Sequence, residues 1–411
     1  MGLETPFNMS AMVENKRKEH RVWLAVALSI FTVAWGGNEF TPLLVFYRGE
    51  GVFSDLFIDL LLVFYAIGVA VGLLAAGPLS DRYGRRAVML PAPLLAMIGS
   101  GLIAAGEEIP LLIAAGRVFS GLAVGMVMTA GGSWIKELAT QRFEPGVKPS
   151  AGAKRSSMSL TAGFALGPAI AGVMAQWLPL PGQVAYILHI ILSVALLPIL
   201  FTAPETRQSA HLKTKGSFWS DVLVPSALKP RFLFVVTPLG PWVFGAAFTA
   251  YAVLPALLRD MVAAPIAYSA LIALLTLGTG FGIQQFGPQI MGTSKTRGPV
   301  LAMVATVTGM CGAVLVALYP HPWWALLVCM ILGLSYGLCM FMGLAETQNM
   351  APPVDMAGLT GIFYCLAYSG MVFPAIMTWL NNWLSYPIML GFGAVMALLC
   401  LVIVNITARR T

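Results

Sequence analysis

Residues 56–78 read LFIDLLLVFYAIGVAVGLLAAGP, and Asp59 is the only charged side chain among them. A helical apolar stretch of about 20 residues matches the hydrocarbon thickness of a bilayer. Roughly a dozen such stretches, separated by short polar turns, fill the 411-residue chain, which is 58% hydrophobic and 10% charged. An average soluble domain carries about 25% charged residues. We therefore predict an all-α integral membrane protein with about 12 transmembrane helices.

Lysine and arginine are distributed unevenly around these stretches. Among 24 such residues, Arg48 and Arg259 fall on one side of the predicted spans, Arg117 falls inside a span, and the rest fall on the other side. The positive-inside rule places the basic side, with both termini, in the cytoplasm. Topology thus explains the net charge of +7, and no nucleic-acid partner is expected. We predict a monomeric, multi-pass protein of the plasma or inner membrane.

The chain divides near its middle. We predict a cytoplasmic arm at 1–21, a six-helix bundle at 22–203, a polar cytoplasmic linker at 204–230 and a second six-helix bundle at 231–411. Three motifs recur at offsets of 210, 212 and 206 residues: Gly77-Pro78 and Gly287-Pro288, GLAVG at 121–125 and GLSYG at 333–337, PAI at 168–170 and at 374–376. These repeats predict two pseudo-symmetric bundles with a cavity between them.

The turn after the second span reads Gly77-Pro-Leu-Ser-Asp81-Arg82-Tyr-Gly84-Arg85-Arg86. It matches the signature G-x-L-x-D-R-x-G-R-R of the major facilitator superfamily, between the two spans where that family has it. The chain resembles this family over essentially its whole length. The resemblance implies the major facilitator fold and rocker-switch alternating access, in which a central cavity opens to each face of the membrane in turn.

In this turn, glycine permits a tight bend and the arginines hold the loop at the anionic inner leaflet. The resemblance implies that Asp81 is a gate latch against the second half. We predict that it caps the N-terminus of the helix starting near Gly358, whose positive dipole end faces the cytoplasm. The alternative is a basic turn that only sets topology. The equivalent loop at 287–298 has no aspartate, so the latch is expected on one side only.

The fifth span contains Gly163-Phe-Ala-Leu-Gly167-Pro168-Ala-Ile-Ala-Gly172. It resembles the antiporter signature of the family, whose core is G-x-x-x-G-P-x-x-G-G, although Ala171 stands at one glycine position. The resemblance implies a twelve-helix, proton-coupled drug or metabolite exporter, in which this face seals the two halves. The alternative is an ordinary packing face of small residues.

Two charges lie deep in predicted spans: Glu39 in the first and Arg117 in the fourth. Such charges are costly unless they are paired or hydrated. Each lies roughly 10 Å below the outer surface, so an ion pair is geometrically possible. We hypothesise that Glu39 is the proton-coupling acid and that Arg117 modulates it, with a static buried pair as the alternative. Asp59 is a weaker candidate near the span end, and His189 is expected to be a hydrogen-bonded core residue.

The lining of the cavity is predicted from depth along the spans. The candidate substrate-binding residues are Asn38, Trp242, Tyr336, Tyr364 and Tyr368, with Gln284 and Gln285 facing an aqueous path. Aromatic side chains there suit a lipophilic or cationic solute through stacking and cation–π contacts. The alternative is that these aromatic residues serve packing alone.

The sequence has no Walker loop, HExxH motif, Cys/His metal spacing or nucleophile elbow. We therefore expect no enzymatic activity, metal or cofactor. The expected function is secondary transport, as a proton-coupled antiporter in efflux and multidrug resistance that exports small lipophilic or cationic compounds. The alternatives are a proton-coupled exporter or symporter of sugars, amino acids or other metabolites, and a membrane receptor that transports nothing.

Overall fold

The structure is a computed structural model of the 411-residue chain, and it describes residues 22–148, 151–207, 224–294, 296–350 and 356–410. These residues form helices and turns, with no strand among them. The predicted arm at 1–21 and the central part of the predicted linker, 208–223, lie outside the described residues. At the described end of the linker, Pro225–Leu228 forms a short 3-10 helix.

Twelve apolar helices, numbered here α1 to α12, make up the fold. Eleven are long and apolar enough to cross a membrane, and α6 is a shorter apolar helix of 17 residues. Their bounds are Val22–Glu50, Asp55–Tyr83, Arg85–Ala105, Pro110–Leu138, Ala151–Trp177, Val184–Leu200, Phe232–Met261, Pro265–Gln284, Arg297–Leu318, Pro322–Met350, Gly358–Leu380 and Tyr386–Arg409. The prediction of about 12 spans in an all-α membrane protein is confirmed.

Several helices extend past the bilayer on the basic side. Helices α2, α4 and α10 each have 29 residues, which is about 43 Å against about 30 Å of hydrocarbon. Their cytoplasmic ends therefore project into water and carry charged side chains there, including Asp81, Glu137 and Glu346.

The same close helix contact is present in both halves. In the first half, Gly121 of α4 lies against the backbone carbonyl of Tyr65 in α2, where a Cβ would collide with that oxygen. In the second half, Gly333 of α10 lies in the same way against the carbonyl of Thr276 in α8. The two pairs of residues are related by 212 and 211 positions. The repeated GLxxG motif thus builds the same helix pair twice, in line with the predicted pseudo-symmetry.

Candidate functional site

A cavity of about 650 Å³ lies between the two halves. Its lining comes from both halves and combines apolar side chains, such as Leu73, Met128 and Phe244, with polar ones. The uncharged polar side chains are Thr129, Ser133, Ser156, Ser157, Thr161, Gln284, Tyr336, Gln348, Thr360 and Tyr364. At its basic end the lining includes Asp81, Arg85 and Lys136 from the first half and Gly358 from the second. Because these residues lie at the cytoplasmic ends of their helices, the cavity reaches the cytoplasmic side and the structure is inward-facing.

On the opposite side the halves are in contact. Gly172 of α5 lies against Ala270 of α8, and Gln176 Oε1 accepts hydrogen bonds from the backbone N–H groups of Ile266 at 3.0 Å and Ala267 at 3.3 Å. The side chain of Gln176 therefore occupies the N-terminal end of α8. These contacts close the outer side of the carrier.

A second contact across the outer side involves a buried carboxylate. Asp59 of α2 is fully buried. Its Oδ1 lies 2.5 Å from Arg48 Nη2 in the same half, and its Oδ2 accepts a hydrogen bond of 2.5 Å from Thr378 Oγ1 in α11 of the other half. We call Arg48, Asp59 and Thr378 the outer latch. Asp59 is thus bonded to both halves at the closed face.

The predicted substrate-binding residues divide into two groups. Tyr336 and Tyr364 line the cavity, as does Gln284. The other three predicted residues are not part of this lining and are held by neighbours. Trp242 packs edge-on against Phe373, Tyr368 lies 4.3 Å from the ring of Phe244, and Asn38 Nδ2 donates to the carbonyl of Phe164 at 2.8 Å.

The predicted gate residues form a network inside the first half. Asp81 accepts from Arg85 at 2.9 Å and from Arg207 at 2.6 Å. Asp81 and Gly358 both line the open cavity, and neither of the described ion pairs of Asp81 reaches the second half. If Asp81 is a gate latch, its contact with the N-terminus of α11 must be broken in the inward-facing state. The described ion pairs of Asp81 agree with this requirement.

The glycines and remaining arginines of this turn have different surroundings. Gly84 has φ 98°, which favours glycine, and an added Cβ there would collide with the carboxylate of Glu205. Gly77 borders the cavity with open space beside it. Arg82 and Arg86 are half-buried, and Arg86 donates to the carbonyl of Phe201 at 3.0 Å.

Two acids of this network were missed in the sequence. Glu137 Oε1 accepts from Arg85 Nη2 at 2.7 Å and from Nε at 3.1 Å, and Glu137 also bonds the hydroxyl of Thr206. Glu205 accepts from the backbone N–H groups of Arg85 at 3.1 Å and Arg86 at 2.8 Å. Glu205 therefore caps the start of α3 and fixes the turn to the segment that follows α6.

The first span is interrupted at Glu39. Helical residues run over Val22–Asn38 and resume at Phe40–Glu50. Pro42 has no N–H to offer the carbonyl of Asn38, which explains the break. Glu39 is 0% exposed; its Oε1 accepts from Ser100 Oγ at 3.2 Å, and no hydrogen-bond partner is described for Oε2. A buried acid thus sits at a break in the helix that borders the cavity.

Arg117 lies near this break. Among the described contacts, no ion pair joins its guanidinium to the carboxylate of Glu39. Its Nη1 donates to the carbonyl of Gly37 at 3.2 Å and its Nε to the carbonyl of Leu61 at 3.3 Å. Its guanidinium also lies 4.4 Å from the Phe40 ring centre. Arg117 therefore supports the interrupted helix, and the direct pair considered from the sequence is absent in this state.

His189 is the residue near Glu39 that sequence reasoning left aside. Its Nδ1 lies 2.8 Å from Ser100 Oγ and 4.0 Å from Glu39 Oε1. It is hydrogen-bonded and fully buried, as expected for a core histidine, but its bonds lead to the candidate proton-coupling acid.

The predicted antiporter motif is a packing surface. Gly163 and Gly167 lie against the backbone carbonyls of Phe31 and Trp35 in α1, where a Cβ would clash. Pro168 is buried between them and Gly172, which contacts α8 of the other half. The upper end of this face thus takes part in the closure between the halves.

Two homologous helical bundles around a cavity open to one side of the membrane define a secondary transporter. The family model described as Major Facilitator Superfamily matches residues 22–373, and the chain belongs to this family. It is a multi-pass membrane protein, and the transporters of this family are not enzymes.

Similar proteins include the 4-hydroxybenzoate transporter PcaK of Pseudomonas aeruginosa, which is 31% identical over 157 residues, 37% of this chain and 32% of that protein. The match thus spans about a third of the length of this relative. The sialic acid transporter NanX of Escherichia coli is 24% identical over 351 residues, 79% of each chain. These relatives are named as carriers of organic solutes and lend no support to the predicted drug-exporter subgroup, efflux or multidrug resistance.

Solved structures show the same fold. A POT family transporter in complex with 5-aminolevulinic acid superposes with a TM-score of 0.76 at 13% identity, covering 95% of this chain and 96% of that one. A D-xylose-proton symporter superposes with a TM-score of 0.68 at 14% identity, covering 93% and 96%. At such identities the likeness shows the fold alone.

Proposed function

We propose that this chain is a proton-coupled carrier of small polar metabolites, and of carboxylates in particular. The observation that carries the proposal is the set of hydroxyl, amide and tyrosine side chains that both halves place in the cavity lining, between apolar side chains such as Leu73, Met128 and Phe244. Such groups pair with the polar atoms of a hydroxylated acid, whereas a lipophilic cation offers few partners for them. The proposal therefore replaces the expected lipophilic cargo with the metabolite alternative.

The charge at the cavity mouth supports an anionic substrate. Lys136 is exposed there and forms no ion pair within the described part of the chain, whereas Arg85, which also lines the mouth, is paired with Asp81 and Glu137. The one acid in the lining, Asp81, is already bonded to Arg85 and Arg207. A basic entrance raises the local concentration of anions. The names of two relatives agree, because 4-hydroxybenzoate and sialic acid both carry a carboxylate.

Proton coupling is assigned to Glu39. This acid is buried, and its neighbour Asn38 bonds the carbonyl of Phe164, which lines the cavity. Movement of the cavity wall is thereby connected to the helix break that holds Glu39. A protonated Glu39 is neutral and suits this buried position, whereas an ionised one needs donors or water.

Transport in proteoliposomes tests both parts. We expect 4-hydroxybenzoate or sialic acid to accumulate when the exterior is acidic, and tetraphenylphosphonium to be neither accumulated nor expelled. Glu39→Gln should abolish accumulation while leaving counterflow of the same solute. Glu50→Gln, which alters an exposed acid on the same helix, is the matched control and should behave like the parent. Unchanged accumulation by Glu39→Gln would refute the assignment of coupling.

Proton-driven antiport is the second candidate. It is favoured by the face of Gly163, Gly167, Pro168 and Gly172, which resembles the antiporter signature and reaches the contact between the halves. Antiport predicts the opposite result in the same vesicles: an acidic exterior drives the solute out of preloaded vesicles.

A further inference from the structure

Glu39, Ser100 and His189 form one buried hydrogen-bonded chain across α1, α3 and α6. Each of the three residues is 0% exposed. Ser100 Oγ lies 3.2 Å from Glu39 Oε1 and 2.8 Å from His189 Nδ1. On the other side of the imidazole, Nε2 lies 3.1 Å from the carbonyl of Thr32 and 3.2 Å from Ser193 Oγ. The ring thus connects to Glu39 through a single hydroxyl.

The carbonyl of Thr32 decides where the imidazole carries its proton. A carbonyl oxygen can only accept, so a contact of 3.1 Å requires that Nε2 carries hydrogen. In the neutral ring Nδ1 is then an acceptor. The Ser100 hydroxyl has one proton, and it faces two acceptors, Nδ1 and the Glu39 carboxylate.

Counting protons gives two states in which the Ser100 hydroxyl, His189 Nδ1 and Glu39 Oε1 all have partners. In the first, protonated Glu39 donates to Ser100 Oγ, and Ser100 donates to Nδ1 of neutral His189. In the second, the Ser100 proton has moved to Nδ1 and the Glu39 proton to Ser100, so that imidazolium donates to Ser100 and Ser100 to the carboxylate. If the extra proton leaves, Ser100 can serve only one of two buried acceptors, and the other is left unsatisfied.

We propose that the coupling proton is held jointly by Glu39 and His189 through Ser100, so that His189 is a second proton-holding group. This inference rests on the proposed role of Glu39 in coupling. In both filled states the three buried residues together carry no net charge, one state having two neutral groups and the other a carboxylate and an imidazolium. Release of the proton leaves one negative charge on these three residues, which links proton occupancy to rearrangement of the bundle.

The surrounding groups are consistent with this assignment. Arg117 is the charged residue that faces Glu39 from α4, but its described hydrogen bonds go to backbone carbonyls of α1 and α2. Tyr47 of α1 and Tyr186 of α6 are the further titratable groups nearby, with Glu107 beyond Tyr47. Ser100 is the described hydroxyl donor to Glu39, the Trp35 side chain also lies near this carboxylate, and His189 is the titratable group connected to Glu39 through Ser100.

The pH dependence of accumulation tests the relay. Ser100→Ala removes the bridge, and His189→Asn keeps a polar group beside Ser100 without the ability to hold a further proton. Ser100→Ala deprives ionised Glu39 of its hydrogen-bond donor, so the pH of half-maximal accumulation should rise by about one unit or more. His189→Asn removes one of the two proton-filled states and leaves the Ser100 proton to Glu39, so the pH of half-maximal accumulation should fall. Ser193→Ala removes the other hydroxyl that contacts the ring and is the matched control, with no shift expected.

Counterflow in the same vesicles shows which variants are folded. If Ser100→Ala and His189→Asn exchange solute normally and their pH profiles coincide with the parent, the relay is refuted, while loss of accumulation in Glu39→Gln would still uphold the proposed function. If Glu39→Gln keeps proton-driven accumulation, the proposed function itself fails.

A second measurement tests the proposal even if the Ser100 and His189 variants fail to fold. Replacing His20, His211 and His321 by Gln leaves His189 as the sole histidine. With ¹⁵N-labelled histidine, its ring signal should change with pH across the range in which accumulation falls. A ring that keeps one neutral signal across that range would overturn the proposal.

Discussion

Replacing Thr378 by valine tests whether the outer latch holds the inward-facing state. Valine has nearly the same shape as threonine but cannot donate to Asp59 Oδ2, the bond of 2.5 Å that joins the halves. The ion pair of Asp59 with Arg48 lies within the first half and stays intact. The substitution therefore removes one contact that exists only when the outer side is closed.

The size of the effect follows from the chemistry of this contact. A hydrogen bond to a charged group contributes about 1.5–3 kcal/mol. Thr378 is half-buried, and water can replace its hydroxyl once the halves separate, so the lower end of the range applies. A loss of about 1.4 kcal/mol shifts an equilibrium tenfold. We expect the ratio of outward-facing to inward-facing molecules to rise about tenfold in Thr378→Val.

Distances between spin labels report this ratio. Val52 and Trp383 lie in outer turns of opposite halves and are 52% and 67% exposed, so cysteines at these positions accept labels in a chain whose five native cysteines are replaced by alanine. The long-distance population should grow in Thr378→Val. Thr308→Val, whose hydroxyl bonds only its own helix on an exposed face, is the control. A change within twofold of the parent would refute the reasoning.

Three further outcomes follow from single contacts. Gly121→Ala forces a methyl group against the Tyr65 carbonyl and should lower the unfolding temperature in detergent by roughly 5 °C. The control Gly101→Ala, which has open space beside it, should leave this temperature unchanged or slightly higher. Equal unfolding temperatures for the two variants would show that the α2–α4 contact can relax. Lys136→Gln should raise the KM for carboxylate solutes several-fold without affecting an uncharged sugar, and a uniform rise would remove Lys136 from anion recognition. Glu205→Gln loses the charge that caps α3 and should speed proteolysis of the turn at 79–86, as followed by mass spectrometry; Glu108→Gln, an exposed acid on the outer side, should not.

The spans, their orientation and the duplication were predictable because each depends on local sequence. Hydropathy sets the length of a span, and lysine and arginine set its direction. The glycine motifs were informative because glycine marks places where backbones approach closely, and Gly121 and Gly333 make equivalent contacts. The cytoplasmic turn was predictable in position, since its signature fixes it between α2 and α3.

The partners of Glu39 were not predictable from depth. Depth gives the height of a side chain in the bilayer and says nothing about the direction in which it points around its helix. Arg117 has the expected height, but its guanidinium reaches the backbone carbonyls of Gly37 and Leu61 instead. Its long side chain bonds these, and Glu39 bonds Ser100 from a helix that carries no charge in this region.

Comparison of the two halves at the offset of the repeat identifies Glu137, an acid that was missed in the sequence. Glu137 and Glu346 are 209 residues apart, close to the offsets of the glycine motifs, and each receives a bidentate arginine. Glu137 binds Arg85, whereas Glu346 binds Arg231 at 2.7 Å and 2.8 Å. The arginine differs because the second turn lacks the full signature, so the repeat predicts the acid and not its partner.

At both openings of the carrier, the charged and the neutral partners are divided between the two halves in the same way. The first half supplies both acids, Asp59 at the outer opening and Asp81 at the cytoplasmic opening. Neither acid takes its arginine from the second half: Asp59 pairs with Arg48, and Asp81 pairs with Arg85 and Arg207. The second half supplies a neutral partner at the outer side, the Thr378 hydroxyl, and the predicted partner at the inner side is the N-terminus of α11. When the halves separate, each acid therefore keeps its counter-charge. A buried acid without a counter-charge would cost several kcal/mol. Each acid loses one hydrogen bond or dipole contact when its mouth opens, a loss of about 1–3 kcal/mol. Because the losses at the two acids oppose each other, we expect these acids to favour neither state strongly, which leaves the differential affinity for a proton and a small solute to drive the exchange.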